Sequence, residues 1–138
     1  MIRFNIEDVR FNLKNRMVLK KWLANVASEE SRRVGELNFI FCSDDYLLDI
    51  NSRFLNHDYY TDVITFDYSE DNRIAGDIFI SVDTVRVNAE EYCQTFENEL
   101  FRVMVHGVLH LCDYGDHSDE EKKQMRAKED YYLAKLSF

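Results

Sequence analysis

The chain has 138 residues, 46% of them hydrophobic and 14% aromatic, enough for one substantial core, so residues 1–138 are read as a single domain. No apolar run approaches the roughly 20 residues that a bilayer span needs, and no basic-then-apolar leader opens the chain, so a cytoplasmic location without a membrane partner is expected. The net charge of −9 argues against a generally basic, nucleic-acid-binding surface, but it is uneven: residues 1–33 carry eight Lys/Arg against four Asp/Glu, and residues 34–138 carry nine against twenty-two.

Ile2-Arg3-Phe4-Asn5-Ile6 alternates apolar and polar residues and predicts a strand. A helix is expected from about Lys14 to Glu29, with Met17, Trp22, Leu23 and Val26 inward. Its Lys14, Arg16, Lys20 and Lys21 either meet phosphates or form a solvated face. Residues 36–41 return to strand chemistry. Ser43-Asp44-Asp45 opens the next helix by satisfying free N–H groups and matching the positive helix end. Leu47, Leu48, Ile50 and Phe54 are its expected inward side, and it ends near Asn56. The β-branched runs Thr61–Phe66 and Gly76–Ser81, with a polar turn between them, predict an antiparallel pair. Helices follow over about Val82–Tyr92 and Thr95–Cys112, the latter with Leu100, Val103, Met104, Val108 and Leu111 as one buried stripe. Ser118-Asp119-Glu120-Glu121 is a capping box for a last helix that buries Met125, Tyr132, Leu133 and Leu136. The order predicts an α+β domain: a small mixed sheet of about four strands packed with about five helices. The helix over Thr95–Cys112, with His106 and His110 four apart, is the one read as a zincin-like metal helix.

The three cysteines, Cys42, Cys93 and Cys112, have no disulfide spacing and are expected to pack. Chemistry points instead to the helix over Thr95–Cys112. Histidines four apart lie one above the other, so His106 and His110 can converge on one metal ion, with Glu99 two turns earlier on the same flank. Cys112, about 200° around the helix from His110, points away. Asp113-Tyr114-Gly115 reads as a reversal with Gly115 left-handed, which brings back Asp116 or His117 as a third ligand. Zinc sites that do chemistry have three protein ligands and one open position, so one Zn²⁺ ion is the expected cofactor.

His106-Gly107-Val108-Leu109-His110-Leu111 with Tyr114 resembles the HGxLHLxGYDH signature of the YbeY family of bacterial zinc endoribonucleases. Asn51, Phe54, Asp58 and Thr61–Phe66 resemble its NxxYRxKDxPTDVLSF block, and Gly76-Asp77-Ile78 resembles its GDI strand. The resemblance implies a metal-dependent hydrolase domain that cuts single-stranded RNA. It further implies maturation of the small-subunit ribosomal RNA 3′ end and ribosome quality control, with ribosomal RNA and the small ribosomal subunit as partners. Leu55 stands at the family's arginine, and His57 and Tyr60 stand at its lysine and proline. His57 is then either a substitute contact to phosphate or an ordinary loop histidine. In ungapped register Asp116 falls on the family's last histidine, which favours Asp116 over His117 as third ligand.

Such an ion holds a water with a pKa near about 7, the expected nucleophile. In HExxH helices the second position supplies a base, but here it is Gly107, which faces the core stripe and is expected to let a neighbouring element approach. No catalytic side chain is assigned beyond that water. His57 and Glu99 are possible assistants; Glu99, Asp77 and Asp62 read first as helix-surface or strand-end groups. Two other classes compete. A non-catalytic ribosome-assembly module would close its zinc with four protein ligands, and a metallopeptidase would need the missing glutamate.

Overall fold

Strand alternation divides the molecule into two unequal faces. The computed structural model describes residues 1–56 and 61–138, so His57, Asp58 and Tyr60 lie outside the described residues. The strands are β1 (Ile2–Ile6), β2 (Arg33–Cys42), β3 (Val63–Asp67) and β4 (Arg73–Ser81), in the spatial order β1-β2-β4-β3. β1, β2 and β4 run parallel, whereas β3 pairs antiparallel with β4 as expected, with Thr65 opposite Ile78. The helices are α1 (Arg16–Glu29), α2 (Asp44–Leu55), α3 (Val82–Glu91), α4 (Phe96–Leu111) and α5 (Asp119–Leu133). Leu37, Phe39 and Phe41 of β2 join the large core with α1 and α4. Cys42 turns to the other face, where Leu47 of α2 and Ile64 of β3 form a smaller cluster. This is the α+β layout read from the sequence.

The helix starts follow side-chain capping. Ser43 accepts the Tyr46 N–H, Ser81 and Thr95 cap α3 and α4 in the same way, and Ser118 with Glu121 completes a capping box on α5. Two residues expected inside are outside: Met17 is 79% exposed and Phe54 64%. Leu19, Trp22, Leu23 and Val26 make the buried stripe of α1, a helix-period set that places Met17 on the opposite side. On α2 the buried pair is Leu47 and Asn51, and Phe54 near the helix end reaches only the rim, edge-on to Phe66. Cys42 and Cys112 are buried as expected, but Cys93 is exposed in the turn after α3, where its φ is 54°. Among the described residues, no helix is long and apolar enough to cross a membrane.

Candidate metal centre

Gly107 sets the roll of α4 before its histidines matter. A Cβ at this position would lie 2.9 Å from Cδ1 and Cγ2 of Ile78, so α4 rests directly on β4, the close approach expected of this glycine. With Met104, Val105, Val108 and Leu111 in the core, His106 and His110 are held on the helix flank, 19% and 27% exposed. Their Nε2 atoms are 2.9 Å apart and their rings nearly perpendicular, at 86°.

The chain then reverses. Cys112 caps α4, and Asp113, not Gly115, takes the left-handed conformation, with φ 73°. Aspartate is among the residues that adopt this region more readily than most. Gly115 instead gives the Glu121 carboxylate room: a Cβ there would displace that side chain's end. The reversal places Asp116 Oδ2 3.4 Å from Nε2 of both histidines. His106, His110 and Asp116 offer ligand atoms that all lie within 4.8 Å of one another, a group able to hold a metal ion. His117 is not part of it; its backbone N–H donates to Glu121 Oε1 at 3.2 Å and its side chain is exposed.

The outer nitrogens show why the group suits a cation. His110 Nδ1 lies 2.9 Å from the Tyr114 carbonyl, and His106 Nδ1 lies 2.6 Å from Glu129 Oε2. Both partners accept, so both Nδ1 atoms carry hydrogen, and a ring that is neutral turns its Nε2 lone pair inward. With both rings neutral, two imidazole acceptors and a carboxylate oxygen face one point. A cation, or a proton on one ring, relieves the repulsion. Burial would push His106 down, but the bonded Glu129 carboxylate, with Asp116 and Asp62, holds its pKa above the usual imidazole range. Burial and the neighbouring His106 push His110 the other way.

Glu129 was not read from the sequence as a site residue. It is 5% exposed and also accepts from Arg102 Nη1 at 2.8 Å. Its signal was there: Met125, Glu129 and Tyr132 share one helical stripe, and a carboxylate on a core stripe calls for a buried partner. A second support comes from the end of α1. Tyr114 Oη donates to Glu30 Oε1 at 2.7 Å, Lys128 and Tyr132 also bond Glu30, and Arg32 pairs with Asp113 at 3.1 Å. The reversal carrying Asp116 is thereby tied to the end of α1 and, through Glu30, to α5.

Two cavities flank the group. One, of about 500 Å³, runs along β3 and is lined by Asn51, Leu55, Asp62, Thr65, His110 and His117 among others. The other, of about 280 Å³, lies between α3, α4 and α5. Glu99, expected on the helix surface, is instead 5% exposed and lines the second cavity. Asp62 lines both. Burial pushes both carboxyls up. Asp77 does not join the site; it accepts from Asn38 Nδ2 at 3.0 Å within the sheet.

Fold and site define a small α+β domain with a solvent-open candidate metal centre on its longest helix. The sequence profile of the family described as "Endoribonuclease YbeY" matches residues 1–137. Proteins named Endoribonuclease YbeY from Phocaeicola vulgatus and Cytophaga hutchinsonii are 47% and 50% identical to this chain. Each alignment covers 99% of this chain and 99% or 96% of the relative. The solution structure of a Thermotoga maritima protein superposes with a TM-score of 0.70 at 33% identity, covering 99% of this chain and 89% of that one. This chain belongs to the YbeY endoribonuclease family.

Proposed function

We propose that the protein is a zinc-dependent endoribonuclease specific for single-stranded RNA, acting in the cytoplasm on the 3′ end of small-subunit ribosomal RNA and in ribosome quality control. The small ribosomal subunit is its proposed partner. The observation that carries the reading is the convergence of His106, His110 and Asp116 beside open cavities, in a chain of this family. Zinc accepts such a His₂Asp set; when bound it supplies Lewis acidity, polarising a phosphoryl oxygen and acidifying water toward a pKa of about 7. The chain's own work is positional. Glu129 and the Tyr114 carbonyl hold the imidazoles in one tautomer, and the Arg32 and Glu30 contacts hold the reversal that presents Asp116.

A zinc-stabilised assembly module without activity is the competing account, and three convergent ligands with a partly exposed carboxylate favour an open site over a closed one. A metallopeptidase is disfavoured because Gly107 stands where a helix of that type carries its glutamate. Metal-loaded protein incubated with unstructured RNA and with casein, beside His110→Ala, separates the three. RNA cleavage that His110→Ala abolishes is expected. Cleavage that survives the substitution would point to a contaminant, and casein cleavage to a peptidase.

A further inference from the structure

His106, Asp116, Asp62 and Val63 line both cavities, so an extended ligand can cross the metal group from one to the other. The reading above assigns no ligand to the cavity between α3, α4 and α5. Its walls carry Asp62, Glu99, Asp116 and Glu129, so a polyanion entering it needs a cation supplied by the protein. Two arginines line it. Arg102 is committed, donating to Glu129 Oε1 at 2.8 Å and to Asp130 Oδ1 at 2.6 Å. Arg126 on α5 is exposed; among the described residues it forms no hydrogen bond or ion pair and has Glu99 as an electrostatic neighbour. At the same cavity stands Tyr92, the C-cap of α3, with the residue 57% exposed.

A guanidinium fork with free donors matches phosphate oxygens, and an exposed aromatic ring stacks any unpaired base. We propose that this cavity is a nucleotide subsite of the same centre, in which Arg126 binds a backbone phosphate and Tyr92 stacks the adjoining base. The proposal rests on the ribonuclease reading and adds the path of the strand, from the β3 cavity across the metal group to α3 and α5. It also gives the acidic chain a phosphate contact where Leu55, on the β3 side, offers none. The rival account makes Arg126 only a counter-ion for Glu99.

The test uses metal-loaded protein and a fluorescent oligouridylate, following kcat, KM, the salt dependence of KM and the melting temperature. Arg126→Gln should raise KM and lower its log–log salt slope by about one, with the loss falling on KM, while Arg126→Lys keeps the slope. Tyr92→Ala should raise KM about tenfold without altering the slope, and Tyr92→Phe should recover most of that loss. A lowered melting temperature with unchanged KM and slope in Arg126→Gln favours the counter-ion account and overturns the subsite. A wild type that cuts RNA, with both Arg126→Gln and Tyr92→Ala indistinguishable from it, overturns the subsite alone. A wild type that neither binds nor cuts RNA overturns the ribonuclease reading as well.

Discussion

Glu129 does for His106 what a backbone carbonyl does for His110: each accepts an Nδ1–H and so decides which ring nitrogen faces the centre. Partners of this kind are typically worth about 10–100-fold in metal affinity. Glu129→Gln should therefore weaken zinc binding by that order in chelator competition while leaving most of the fold intact; unchanged affinity would remove Glu129 from the site. Glu30 works at one more remove. Burial would raise its pKa, but the Tyr132 and Tyr114 hydroxyls and Lys128 outweigh burial and hold the carboxyl below its ordinary value of 4.5. A depressed carboxylate stabilises the fold above the unfolded pKa, and that contribution is lost as pH falls through the folded value. Glu30→Gln should thus cost stability near neutrality and flatten the loss below about pH 4.5, read as urea midpoints across pH. Tyr114→Phe, which deletes one charged-group hydrogen bond, should cost about 1.5–3 kcal/mol.

At the scale of the helix, α4 is set by contact and α5 by its cap. Gly107→Ala gains roughly 1 kcal/mol of helix propensity but drives a methyl into the branched side chain of Ile78. Overpacking of this kind costs about 1–3 kcal/mol, so the variant should be less stable by about 1 kcal/mol and should bind metal more weakly as α4 lifts from β4. Wild-type stability with intact metal binding would mean that Ile78 repacks freely. Ser118 bonds the Glu121 N–H, and Glu121 Oε1 in turn accepts from Ser118 and His117, so one cap anchors both α5 and the loop behind Asp116. Ser118→Ala should cost about 1 kcal/mol in thermal denaturation.

For the whole molecule, the core of α1, α4 and the sheet closes without the metal group, whose residues lie at its rim. A chelator should lower the melting temperature without unfolding the chain, because metal at 100 times its Kd contributes only about 2.7 kcal/mol. Collapse on chelation would favour the structural-zinc account.

Local chemistry determined much of this protein. Period-two strands, the Ser118 capping box, the Ser43 start of α2 and the His106–His110 spacing all depend on neighbours within a few residues, so they can be read directly. Met17 and Phe54 fit the apolar pattern and still lie outside, because hydrophobic character does not say where the opposing surface ends. That Asp116 rather than His117 lies beside the two histidines depends on the turn itself, in which Asp113 rather than Gly115 is left-handed. Glu129 bonds His106, Glu30 braces the reversal through Tyr114 and Arg126 lines the neighbouring cavity, all from residues distant in the chain that only tertiary packing brings within bonding or cavity distance.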